Sequence, residues 1–273
     1  MRSAGRVLAQ LAVLTVLAAS SCSTAGPGLR ATVDQFRDGY ATGTIVLQLT
    51  DTGSAEFTVV SAALSDPRFS DGTAWAGSTQ FAPGQTISLP AVAAAPRCDG
   101  SQDAAPTVRV GLADGTERRV AADDPHGVLA RIHPDGCFAA RVASHASLSL
   151  DDALAPGPEP GVAILTVRAG APPGPPPAAS PILTSVSGTT LLDEDPGQPW
   201  PRGVVLSPGT EVRLAVRPAR CDPHAVAEDK VGTVLPLTLA ASGQTGVVKL
   251  AAPPGLRAAI YAFVAAACGW PTG

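Results

Sequence analysis

Two periodicities organise the chain. A period of two, with apolar side chains at alternate positions, marks strands that bury one face. Ile87, Leu89 and Ala91 follow it, as do Val108, Val110 and Leu112, and Val212, Leu214 and Val216. The apolar runs Thr44 to Leu49, Phe57 to Ser61, Val162 to Val167, Ile182 to Val186 and Leu235 to Leu239 also read as strands. Turn formers separate them: Asp51-Thr52-Gly53, Asp71-Gly72, Pro83-Gly84, Asp114-Gly115, Pro208-Gly209 and Ser242-Gly243. The helical period appears near the C-terminus. Leu256, Ile260, Phe263, Val264 and Ala267 share one helical face, entered through Pro253-Pro254-Gly255. The alternative for Ile260 to Ala267 is a last buried strand. A shorter helical turn is expected from His126 to Ile132, stopped by Pro134. Many short strands with little helix predict an all-β sandwich fold with minor α.

The pattern runs twice. Thr44 to Leu49, Phe57 to Ser61 and Trp75 are matched by Val162 to Val167, Ile182 to Val186 and Trp200. Phe81-Ala82-Pro83-Gly84, a strand and Pro96-Arg97-Cys98-Asp99 are matched by Leu206-Ser207-Pro208-Gly209, a strand and Ala219-Arg220-Cys221-Asp222. A strand, a turn and a strand follow each cysteine, and each half closes on a further one, Cys137 or Cys268. The expectation is two tandem Ig-like β-sandwich domains, residues 31–142 and 143–273, each ending in a helical turn or short helix. The boundary is set near residue 143 because Ser147 to Leu150 reads as the first strand of the second copy. By the same alignment the proline run Pro172 to Pro177 is a stiff loop inside the second copy, opposite the turn Asp51 to Ala55. One cysteine pair per copy predicts the bridges Cys98–Cys137 and Cys221–Cys268. On the chain-entropy model each contributes roughly 4 kcal/mol.

The N-terminus has the layout of an export signal. Arg2 and Arg6 precede an apolar run from Val7 to Ala19, broken only by Gln10 and Thr15. Those 13 residues span about 20 Å as a helix, short of the hydrocarbon core of a bilayer. Small residues then lead to a cysteine, Ala19-Ser20-Ser21-Cys22, a stretch that resembles the lipobox of bacterial lipoproteins. The resemblance implies that residues 1–21 are removed and that Cys22 carries a lipid, with residues 22–30 as a tether. The membrane is then a partner through the lipid, on the extracytoplasmic face. The alternative is plain secretion after cleavage at Ser23-Thr24-Ala25. Parity agrees with lipidation: of five cysteines, Cys22 alone has no partner in the repeat.

Composition narrows the function. A net charge of −4 without a basic stripe argues against nucleic acid. An apolar fraction of 45% is too high for a disordered tail. No Gly-x-Ser-x-Gly, no Gly-x-x-x-x-Gly-Lys-Ser/Thr and no His-Glu-x-x-His occurs, and four bridged cysteines leave no free nucleophilic thiol. The expectation is a non-enzymatic cell-envelope lipoprotein without cofactor, binding an envelope protein or component. The alternatives are a small-ligand or metal-binding lipoprotein and an enzyme of unidentified class. The ligand-binding alternative rests on Asp222, His224, Glu228 and Asp229, the most polar window, where imidazole and carboxylates could suit zinc or copper. Asp123, Asp124, His126, His133 and Asp135 form a second polar cluster that reads mainly as turn chemistry. His145 is expected to face water, Trp75 and Trp200 to cover equivalent ends of the two sandwiches, and Trp270 to pack over its bridge.

Overall fold

The computed structural model describes residues 28–99, 105–174 and 179–270. The signal, Cys22 and most of the tether lie outside the described residues, as does the stretch 175–178 of the proline-rich loop. In chain order the first elements are β1 (Leu29–Asp34), β2 (Thr44–Asp51), β3 (Phe57–Ser65), β4 (Ala74–Phe81), β5 (Thr86–Val92), β6 (Thr107–Leu112), β7 (Glu117–Asp123) and α1 (Val128–Ala143). Then follow β8 (Ser147–Leu150), β9 (Ala155–Pro156), β10 (Ala163–Gly170), β11 (Ile182–Val186), β12 (Leu192–Glu194), β13 (Val204–Val205) and β14 (Glu211–Pro218). The last are α2 (Pro223–Ala227), β15 (Val234–Ala241), β16 (Gln244–Ala251) and α3 (Pro254–Ala267). The chain is mainly β-sandwich, as the period-two pattern predicts, and the helical reading of the C-terminal segment holds.

Seven strands join in the order β4-β3-β6-β7-β1-β2-β5. β1 is the seam: it lies antiparallel to β2 and parallel to β7. Leu29 and Arg30, assigned to the tether, are therefore strand residues, paired with Asp51 and Thr50. Further along, β12-β14-β10-β8 and β13-β11-β15-β16 form two separate ladders. Their succession repeats the first: β13-β11-β15-β16 follows the order of β4-β3-β6-β7, and β8-β10-β14 that of β1-β2-β5. β8, at Ser147–Leu150, pairs antiparallel with β10.

Two large hydrophobic clusters fill the interior, beside a small third one of Val162, Ile164 and Ala215. One gathers Leu47, Leu49, Val59, Phe81, Val108 and Val110. The other gathers Leu165, Leu183, Leu214, Leu237 and Leu239 with Leu256, Ile260 and Val264 of α3. Disulfides join Cys98 to Cys137 and Cys221 to Cys268, the pairing that the repeat selects.

The helix expected to stop before Pro134 runs on to Ala143. A proline in a helix interior costs about 3 kcal/mol through its missing donor and its ring. Here the later turns bury Phe138 and Val142 in the second cluster, while Val128 and Leu129 belong to the first. Full burial of such side chains contributes roughly 1.5–3 kcal/mol each, enough to offset the proline. α1 thus spans both cores. Gly246 of β16 makes room for it: a Cβ there would stand 2.6 Å from the Phe138 ring.

Candidate functional site

The polar window after Cys221 does not converge. Asp222 accepts from the His224 backbone N–H at 3.0 Å, the usual way such a residue starts a short helix. His224 Nε2 lies 3.3 Å from Glu228 Oε1, one turn along, with both side chains more than 70% exposed. Asp229 turns the other way. Its carboxylate accepts from the Gly232 N–H at 2.8 and 2.9 Å, from the Thr190 hydroxyl, and from the Tyr261 hydroxyl at 3.4 Å. Asp229 is thus a clasp between the loop, the strand-connecting segment at Thr190 and α3. Among the described residues no three His, Cys, Asp or Glu side chains gather as a metal-holding group.

The second polar cluster disperses. Asp124 closes the start of α1, accepting from the N–H groups of Val128 and Leu129 at 2.7 and 2.9 Å. Asp123 pairs with Arg30 at 3.6 Å, and Asp135 with Lys249 of β16 at 3.8 Å. His133 is buried, its Nε2 2.9 Å from the Arg97 carbonyl. His145 differs from its expected solvent position: it is half-buried, bridging the Ala179 carbonyl at 2.7 Å and the Ser242 hydroxyl at 3.2 Å. The tryptophans differ too. Trp75 is within β4 and half-buried against the first cluster. Trp200 lies between β12 and β13, is 6% exposed and donates from Nε1 to the Ala215 carbonyl at 2.7 Å. Both cover a core, from different places in the strand order. Trp270 is partly buried against the second cluster.

What the packing creates is a cleft between the β1–β2 connection and the β15–β16 hairpin. A single 3-10 turn at Arg37–Gly39 makes that connection. Gly39 presses onto the chain, where a Cβ would lie 2.3 Å from the Thr44 carbonyl oxygen. The tight turn leaves Phe36 44% and Tyr40 41% exposed. Tyr40 borders two adjoining hollows of about 340 and 200 Å³, and Lys249 borders both as well. Val231, Val234 and Pro236 line the larger hollow; Ile132, Ala139 and Val247 line the smaller. Polar groups are few and fixed. Arg131 sits over the Tyr40 ring at 5.5 Å and donates to Gln35 Oε1 at 2.9 Å. A cation held against an aromatic face is a common anchor pair at protein interfaces. The apolar character continues on the outer face of the same sheet, where Val247, Ile182 and Val205 are 40%, 39% and 52% exposed. Sequence patterning misses this cleft because its walls come from separate segments. The one local signal is a pair of aromatics, Phe36 and Tyr40, around a polar Arg-Asp-Gly turn in a chain only 4% aromatic.

No helix among the described residues is long and apolar enough to cross a membrane. The two disulfides point to an oxidising or extracytoplasmic environment. No protein-family model matches the chain, and no curated protein matches it. Among solved structures, 77% of the chain aligns with 92% of a chain in the CsuC-CsuE chaperone–tip adhesion subunit pre-assembly complex of Acinetobacter baumannii, at 10% identity and TM-score 0.24. A protein of unknown function from Porphyromonas gingivalis aligns over 82% of this chain and 97% of its own, at 14% identity and TM-score 0.22. A β-D-mannosidase from Dictyoglomus thermophilum aligns over 82% of this chain and 22% of its own, at 9% identity and TM-score 0.21. Superpositions this loose carry no inference about fold or function.

Proposed function

We propose that this chain is a non-enzymatic cell-envelope lipoprotein, held on the extracytoplasmic face by a lipid on Cys22. Its mature part is two tandem Ig-like domains that bind a protein partner. The observation that carries the binding role is the cleft at Tyr40, continued by the exposed Val247, Ile182 and Val205. Exposed apolar side chains on one face, ringed by a few fixed polar groups, suit a protein interface better than a catalytic pocket. The exposed His224–Glu228 pair supplies neither burial nor a third ligand to favour the metal alternative.

A photo-crosslinking residue at position 40 or 247, expressed in the native envelope, tests the binding reading. A discrete adduct is expected from both positions and none from position 118, exposed on β7. Adducts of equal pattern from all three would remove the cleft as the binding surface. The anchor is tested separately. Radioactive palmitate should label the wild type and leave Cys22→Ala unlabelled; equal labelling would reduce the claim to plain secretion.

A further inference from the structure

The two disulfides sit in different chemical settings. Cys98 is exposed and Cys137 half-buried, on the stretch of α1 that follows Pro134. One helical turn before Cys137, His133 is 4% exposed. Its Nε2 lies 2.9 Å from the Arg97 carbonyl oxygen. A carbonyl can only accept, so Nε2 carries the proton. The same Nε2 lies 3.6 Å from Cys137 Sγ, so its one proton, bonded to the Arg97 carbonyl, is shared with the sulfur as a bifurcated donor. The Phe69 ring packs edge to face on the imidazole, with ring centroids 5.7 Å apart. Phe69 in turn rides on a fixed loop: Arg68 binds the buried Asp66 through Nε at 2.9 Å and Nη2 at 2.7 Å, and the Arg68 carbonyl accepts from the Arg97 N–H at 2.7 Å. Among the described residues the second bridge has no such donor. Cys268 Sγ lies 3.8 Å from the Arg220 carbonyl oxygen, as Cys98 Sγ lies 3.9 Å from that of Pro96, and a carbonyl cannot stabilise a thiolate.

We propose that Cys98–Cys137 is a redox-active disulfide, with Cys98 as the sulfur that is attacked and Cys137 as the leaving thiolate received by His133. Exchange runs fastest when the attacked sulfur is accessible and the leaving sulfur is a good thiolate, and a neighbouring imidazole donor provides the second condition. The co-reactant is a dithiol. Its first thiolate attacks Cys98 Sγ; the Cys98–Cys137 bond breaks, and its electron pair goes to Cys137 Sγ, facing His133 Nε2–H. The second thiol of the reductant then attacks the mixed disulfide at its own sulfur. Cys98 leaves as a thiolate and the reductant departs oxidised, having transferred two electrons to the bridge. Cys221–Cys268 is the structural bridge. The proposal is independent of the partner-binding reading and of the anchor.

The test uses the full exported chain, folded and oxidised. Brief exposure to dithiothreitol, alkylation and peptide mapping should label Cys98 and Cys137 about tenfold faster than Cys221 and Cys268. With glutathione as a monothiol probe, the first adduct should fall on Cys98. His133→Gln should slow the opening of this bridge about tenfold while leaving that of Cys221–Cys268 unchanged. Opening of the two bridges at equal rates, or a first adduct on Cys137, would overturn the proposal with no variant needed. So would a folded His133→Gln protein that opens at the wild-type rate.

Discussion

At the scale of single residues, buried charge and local turn chemistry make separable demands. The Asp66 side chain has no exposed area and that of Arg68 only 13%. Their bidentate contact raises the Arg68 pKa above its ordinary value, chiefly through the hydrogen bond to Asp66. Removing one member of a buried pair strands the other, so Asp66→Ala should lower unfolding free energy by about 3 kcal/mol in urea titrations. A loss within about 0.5 kcal/mol would show that water reaches Arg68 freely. Asp114 stands at the opposite extreme, fully exposed in the β6–β7 turn. The Thr116 hydroxyl and N–H bind its carboxylate and hold its pKa below the usual carboxylate value. A depressed folded pKa contributes stability above the unfolded value of about 4, lost as pH falls through the folded value. The urea midpoint of Asp114→Asn should therefore fall less between about pH 5 and pH 2 than that of the wild type. Parallel curves would remove the turn bond as a source of acid sensitivity.

At the scale of elements, α1 is where local rules yield to packing. Its sequence contains Pro134 and Gly136, both poor helix residues, and it has no side-chain bond from its own N-cap residue, Gly127. Asp124 supplies that closure from three residues earlier, and the second core supplies the burial of Phe138 and Val142. A fragment beginning at residue 143 loses those two side chains. A fragment of residues 127–273 should melt higher than one of 143–273, and equal melting temperatures would mean that the later turns of α1 add nothing to the second core. Gly246→Val probes the same contact from the other side. A side chain there must displace the Phe138 ring, and overpacking of this kind typically costs about 1–3 kcal/mol. An unchanged stability would show that the ring has room to move.

At the scale of the whole molecule, α1 lies across the flank of β16, and the cleft forms beside it. Asp135 and Arg141 of the helix meet Lys249 and Gln244 of the strand, while Ile132 and Ala139 form one wall of the smaller hollow. Helix and cleft are thus one construction, and surface changes within the cleft can be made without disturbing either core. Tyr40→Ala together with Val247→Asp should leave unfolding free energy within about 0.5 kcal/mol of wild type, because both residues are about 40% exposed, while abolishing partner crosslinking from neighbouring positions. Retained crosslinking would move the interface elsewhere.

The sequence alone determined what depends on near neighbours or on repetition. The period-two strands, the turns, the C-terminal helix and the cysteine pairing follow from side chains a few positions apart and from the alignment of one half with the other. Tertiary structure decided whatever draws on distant segments. α1 passes Pro134 only because a second core receives its far turns. Asp222, His224, Glu228 and Asp229 adjoin in sequence, yet a short helix points the imidazole outward while Asp229 clasps Thr190 and Tyr261. The cleft combines Tyr40 with residues some 200 positions later, and His133 meets Arg97 and Phe69 across separate loops. Periodicity reports which face of an element is apolar. It carries no information about which distant element will cover that face, and the polar groups that matter here are set by that choice.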